Sequence, residues 1–268
     1  MRMRKKKNLL PRLERVAEFQ EKDPYARRGD WRSWKPDCTA LYLEIGCGKG
    51  TFTVETAAAH PDVLFVAVEK VADCILLAME KAQAKHLTNV VFVCDDAARL
   101  GEMFAPGEVN RLYINFCDPW PSKRHAKRRL TYEDFLKSYR AILPMGGEIH
   151  FKTDNRPLFD FSLTQFPRAG YTLSEVTNDL HADDPNVIMT DYEARFAKEG
   201  ARINRCVGTV TELPEQLGEE PELGLLHYLP EDLEHLEYTP YGMADVIEQE
   251  ILRRKSEARK AAKQAAQG

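Results

Sequence analysis

The chain has 268 residues, 43% of them hydrophobic, and a formal net charge of −4. That fits one large domain with appendages, or at most two domains, and argues against a uniformly basic nucleic-acid binder. Mean hydropathy is negative, and no apolar run approaches the roughly 18 residues of a membrane-spanning helix. The chain is therefore expected to be cytoplasmic, with no membrane partner. Cysteines 38, 47, 74, 94, 117 and 206 are scattered with none in a Cys-x-x-Cys pair, so neither a metal site nor a disulfide framework is expected. Cys94 and Cys117 end apolar runs, where a reduced thiol is expected to pack as a small hydrophobe.

Residues 1–40 read as a basic N-terminal arm. Arg2, Arg4, Lys5, Lys6, Lys7, Arg12 and Arg15 face only Glu14 within 2–15. The start resembles the n-region of a signal peptide, but Pro11, Arg12, Glu14 and Arg15 stand where an apolar stretch should follow. From 41 onward, strands read at 41–46, 64–69, 90–94, 111–116 and 147–153 alternate with helices at 51–59, 71–86 and 131–142. Thr131 is a candidate cap for the last helix. The first three strands are almost continuously apolar, as strands covered on both faces are. Such alternation predicts an α/β fold with a doubly wound, mostly parallel sheet. Later strands at 171–176 and 202–210 flank a polar loop, the second closing a domain over 41–210. Residues 211–268 read as an acidic linker, with nine acids and no Lys or Arg over 211–240, followed by a C-terminal helix.

The turn "EIGCGKGTF" places Gly46, Gly48 and Gly50 between a strand and a helix, where a ligand can approach the backbone. A dinucleotide fingerprint would need glycine where Thr51 stands. Four consecutive strands then end in acids: Glu44 just before the turn, Glu69, the pair Asp95 and Asp96, and Asp118. Glu69 can accept from a ribose diol. Such a rim repels a diphosphate and attracts a cationic sulfonium, which favours S-adenosyl-L-methionine over NAD. After the fourth strand, "DPWP" stands where methyltransferases acting on nucleobases carry Asp/Asn-Pro-Pro-aromatic. Its prolines stiffen the loop, and Trp120 is either a stacking platform or a packing anchor. The following "KRHAKRRL" sets five cations beside this loop in an acidic protein, the placement expected of phosphate contacts.

Together with "MRMR", "IHFKTDN" and "IMTDYEARF", these motifs make residues 1–210 resemble the bacterial tRNA (guanine-N7-)-methyltransferase family (TrmB type). The resemblance implies a class I, Rossmann-like methyltransferase fold with a late antiparallel strand. It implies methyl transfer from S-adenosyl-L-methionine to N7 of guanine at position 46, in the variable loop of tRNA. By motif matching it puts Glu44, Gly46, Gly48, Gly50, Glu69, Asp96 and Asp118 at the cofactor, with Asp118 also catalytic. It puts Ser122, Lys123, Asp154, Thr190, Asp191, Tyr192 and Glu193 at the substrate. Arg124, His125, Ala126, Lys127, Arg128 and Arg129 match the RNA-contacting stretch. Ser122 departs from the family, many of whose members carry Lys there; Lys123 follows it. The alternatives are an NAD-dependent oxidoreductase and an RNA-binding module on a degenerate methyltransferase fold. Either a monomer or a homodimer fits the sequence.

Overall fold

The apolar runs of the sequence form the middle of one sheet in a computed structural model that describes residues 8–236 and 238–265. The basic residues among 1–7 lie outside the described residues. In chain order the strands are β1 (Gln20–Glu21), β2 (Ala40–Ile45), β3 (Val63–Val68), β4 (Val90–Val93), β5 (Arg111–Asn115), β6 (Glu148–Thr153), β7 (Tyr171–Thr177) and β8 (Asn204–Val210). The sheet order is β1-β4-β3-β2-β5-β6-β8-β7. Every pairing from β1 to β6 is parallel, and β8 runs antiparallel to both β6 and β7. Strands β3 and β4 are buried at every position, because helices cover both faces.

Helix α1 spans Leu9–Arg15, α2 Thr51–Ala59, α3 Ala72–Ala84, α4 Leu100–Met103 and α5 Glu133–Arg140. The cap expected of Thr131 does not form. Tyr132 precedes α5 without a side-chain cap bond, while the buried Thr131 hydroxyl lies 2.7 Å from Ser162 Oγ. Cys94 is exposed rather than packed, since β4 ends one residue before it. Helix α6 (Arg156–Arg168) is not evident from the sequence, which brackets it with prolines. Asn155 caps it by accepting from the Leu158 N–H, and Pro157 sits in the first turn, where a missing N–H costs nothing. The expected loop between β7 and β8 contains two short helices, α7 (Leu180–Asp183) and α8 (Asp191–Phe196). Helix α9 covers Ala244–Ala265.

The flanking segments contribute to the same core. Trp31 is fully buried, stacked on Phe104 at 5.1 Å, with its indole N–H donating to the Met103 carbonyl. Leu225, Leu233, Met243 and Ile247 belong to the main apolar cluster.

The strand order reverses between β2 and β5, the position at which open α/β sheets bind ligands. Gly50, with φ +74°, turns away from that crevice: an added Cβ would lie 2.8 Å from Ala78 Cα. Its bare backbone lets α2 pack on α3. Gly50→Ala should cost about 2 kcal/mol or more, from the left-handed backbone and the crowding together. Urea denaturation checks this; an unchanged midpoint contradicts it.

Candidate active site

Strands β2 to β5 are in register, with Ile45 opposite Val68 and Ile114, and Val68 opposite Val93. The residues that follow them therefore emerge along one edge. Gly46 and Gly48 have φ of +73° and +55°, and a Cβ on either would meet nothing within 4 Å. They form an open cradle. The half-buried Glu69 closes one side, accepting from the N–H groups of Gly48 at 3.1 Å and Val71 at 2.9 Å. Asp96 accepts from the Ala98 N–H and pairs with Lys70 at 2.7 Å. Burial acts upward on its carboxyl, but the Ala98 bond and Lys70 outweigh it and hold the pKa below the ordinary value. Asp95 is tied to the N-terminal segment by the Tyr25 hydroxyl at 2.6 Å.

Glu44 lies behind this rim. It is 1% exposed and accepts from Thr53 Oγ1 of α2 and, at 2.9 Å, from Asn115 Nδ2 of β5. Burial pushes its carboxyl up to about 7 against the pull of those two donors. Neither Thr53 nor Asn115 stands out in the sequence, because apolar neighbours hide both.

Asp118 is exposed just beyond β5, and its carboxylate makes no hydrogen bond or ion pair with any other described residue. The loop around it is strained: Phe116 and Trp120 have φ of +53° and +45°, a region that costs a non-glycine residue roughly 1–3 kcal/mol. A short 3-10 helix, Lys123–Arg128, follows. Ser122, Lys123, Arg124, Lys127 and Arg128 are exposed, and His125 partly so. Ala126 and Arg129 are not. Arg129, expected among the RNA contacts, is 0% exposed. It donates to the carbonyls of Pro119 (3.0 Å), Trp120 (2.8 Å) and Pro121 (3.4 Å), and lies 4.3 Å from the Phe161 ring centroid. Burial lowers its pKa to about 10, so it stays charged at neutral pH. Trp120 is a packing anchor on at least one face, with the Arg128 guanidinium 3.7 Å from its ring centroid and His125 edge-on at 5.9 Å.

The expected substrate residues at the end of β6 and at the start of α8 meet through Tyr192 and Asp154. Thr190 and Glu193 form a capping box for α8, and Glu193 is fully buried against Lys152 at 2.6 Å. Lys152 is not among the residues expected at the site, although a lysine inside the strand "IHFKT" is the available signal. Asp191 accepts from Thr51 at 2.7 Å and pairs with Lys81 at 3.0 Å. Tyr192 stacks on Phe196 at 4.2 Å, sits 5.0 Å from the Phe116 ring, and its hydroxyl reaches Asp154 at 3.3 Å. A cavity of about 330 Å³ lined by Tyr113, His150, Lys152 and Arg205 contains neither the cradle glycines nor Glu69, Asp96 or Asp118.

Residues 39–206 match the family model described as "Putative methyltransferase". The tRNA (guanine-N(7)-)-methyltransferase of Halalkalibacterium halodurans is 44% identical over 207 residues, which are 77% of this chain and 94% of that one. That of Streptococcus equi subsp. zooepidemicus is 41% identical over 210 residues, 78% of this chain and 100% of that one. The chain belongs to the tRNA (guanine-N7-)-methyltransferase family. Among solved structures, the 16S rRNA methyltransferase KamB superposes with a TM-score of 0.54 at 15% identity, covering 69% of this chain and 94% of that one. A variant of the 16S rRNA (adenine(1408)-N(1))-methyltransferase from Catenulisporales acidiphilia, with cosubstrate SAM, gives 0.52 at 18%, covering 73% and 94%. At these identities the two establish the fold, a class I Rossmann-like methyltransferase. Among the described residues, no helix is long and apolar enough to cross a membrane.

The buried carboxyl of Glu44 makes stability depend on pH. Its folded value of about 7 exceeds the ordinary 4.5, so the native state holds the proton more tightly. The stability this gives is present in full below pH 4.5 and lost as pH rises to about 7. Glu44→Gln should remove roughly 3 kcal/mol of that loss, read from urea midpoints across the range. Parallel profiles for variant and wild type contradict this.

Proposed function

We propose that this enzyme transfers a methyl group from S-adenosyl-L-methionine to N7 of guanine at position 46 of tRNA. The observation that carries the reading is the placement of Asp118. An exposed carboxylate with no hydrogen-bond or ion-pair partner among the described residues stands beyond β5, across the sheet's switch point from the glycine cradle beyond β2, and shortly before the exposed cations of 123–128. The donor set fits the cosubstrate: Gly46 and Gly48 leave room for a ligand at the backbone, and Glu69 offers a carboxylate to a ribose diol beside them. When bound, S-adenosyl-L-methionine supplies an activated methyl group on a cationic sulfur. An NAD-dependent oxidoreductase is not favoured, given Thr51 and relatives named as methyltransferases; those names likewise disfavour an inert RNA-binding module.

Guanine N7 carries an in-plane lone pair and needs no base before attack. As the new N–C bond forms, the S–C bond breaks, its electron pair stays with sulfur, and the purine becomes cationic. The protein's tasks are to hold N7 in line, where positioning contributes about 7–11 kcal/mol, and to stabilise the positive ring. Asp118 provides that charge. The base must leave its stack, which costs a few kcal/mol, and phosphate contacts from Arg124, Lys127 and Arg128 offset it.

Asp118→Ala should lower kcat by about 10²–10³ while changing cosubstrate affinity little; steady-state kinetics with calorimetry checks both, and an unchanged kcat removes Asp118 from the chemistry. Replacing Arg124, Lys127 and Arg128 together should flatten the log–log salt dependence of tRNA binding by about 0.7–0.9 for each phosphate they no longer neutralise. An unaltered slope would mean these side chains face only solvent. The function itself is tested by incubating the protein with labelled methyl donor and bulk tRNA, then mapping the product. The expected product is 7-methylguanosine at position 46; label elsewhere, or none, contradicts the reading.

A further inference from the structure

The family-model match ends at residue 206, yet the chain beyond it returns to the acceptor side of the cleft. The Leu225 N–H donates to the Pro121 carbonyl at 3.0 Å. Gly242 lies against Pro119, where a Cβ would come within 2.9 Å of Pro119 Cγ. Asn155 Nδ2 donates to the Tyr241 carbonyl at 3.2 Å. At the centre of these contacts is Asp154, 6% exposed. Its Oδ2 accepts from the Tyr238 hydroxyl at 2.7 Å, the Tyr241 N–H at 3.4 Å and the Tyr192 hydroxyl at 3.3 Å. Its Oδ1 has no hydrogen bond to any described residue.

We propose that the described residues of 224–236 and 238–243 form a fixed wall of the acceptor pocket, and that Tyr238 is a positioning residue that holds Asp154 by Oδ2 and leaves Oδ1 to accept from a donor N–H of the incoming guanine. The inference rests on the methyl-transfer reading above and adds to it a part of the site contributed by the extension. A removable cover is the competing account, and packing disfavours it. Leu225 and Met243 are fully buried, and Leu233 and Ile247 nearly so, within the main core; displacing the segment would return all four to water. Burial, with the bond to Asp154 and its charge adding, pushes the Tyr238 phenol pKa up, so the hydroxyl remains a donor at neutral pH. One carboxylate oxygen saturated by three donors is a fixed group, and fixed groups are those that orient a substrate.

Tyr238→Phe removes the hydroxyl and keeps the ring. In the full chain, kinetics with a tRNA transcript should show kcat/KM for tRNA falling about tenfold or more, as for loss of a hydrogen bond to a charged group. KM for S-adenosyl-L-methionine should be unchanged, and the melting temperature should fall by no more than the loss of one hydrogen bond brings. Unaltered tRNA kinetics would overturn the proposal, and so would a rise, which would make the segment a cover that RNA displaces. A fall accompanied by a lowered melting temperature and a raised cosubstrate KM would reduce Tyr238 to a general structural role, and that also overturns it. Should the wild-type chain itself leave tRNA guanine unmethylated, the underlying reading fails, and that result is distinct from the others.

Discussion

A guanidinium removed from water holds the loop that carries Asp118, the proposed catalytic carboxylate. No carboxylate among the described residues pairs with Arg129, and burying an ion costs several kcal/mol. What offsets it is local: three consecutive carbonyls, of Pro119, Trp120 and Pro121, point at one fork, and an aromatic face closes over it. Two of these three residues are prolines, which have no N–H to bond in return. The left-handed backbone at Trp120 is pinned by this fork, and that at Phe116 by its N–H donating to the Lys152 carbonyl of β6 at 2.9 Å. Asp118 lies between these two tethers and is itself exposed.

The two sides of the cleft are tied through buried polar groups. Glu44 links the strand before the glycine turn to α2 through Thr53 and to β5 through Asn115. Lys152 and Glu193 link β6 to α8, so Asp154 and Tyr192 are set relative to each other by an ion pair that neither belongs to. Breaking the Lys152–Glu193 pair would leave an uncompensated buried charge, whereas losing Thr53 or Asn115 would leave the buried Glu44 carboxyl short of a donor. Thr190 and Glu193 thus fix α8, while Asp118 and the cations at 123, 124, 127 and 128 are exposed.

Much of the fold is legible in the sequence because apolar period and turn chemistry agree along 41–153: the helix over 51–59 and the strands beginning at 90 and 111 lie where the sequence puts them. Helix α6 is not, because Pro157 and Pro167 read as breaks, whereas one lies in the first turn and the other in the last. At the site, a sequence shows which charges are near one another but not which are inside. "KRHAKRRL" reads as one basic run, yet 3-10 geometry and the packing of Phe161 send Arg129 inward and Arg124 and Lys127 outward. Likewise "TDYE" reads as four ligands, and a capping box takes two of them. The contact of Tyr238 with Asp154 is not legible either, since the two lie far apart along the chain.

The central claim is that Asp118 acts from a loop whose shape Arg129 fixes. Single-turnover methyl transfer by Arg129→Met, at saturating tRNA and S-adenosyl-L-methionine, tests this most directly, with calorimetric cosubstrate binding showing that the cradle is intact. Methionine keeps the apolar stem but is shorter and donates to no carbonyl. The account predicts cosubstrate affinity within about twofold of wild type and a methyl-transfer rate lower by on the order of 10². An unchanged rate with intact binding would contradict it.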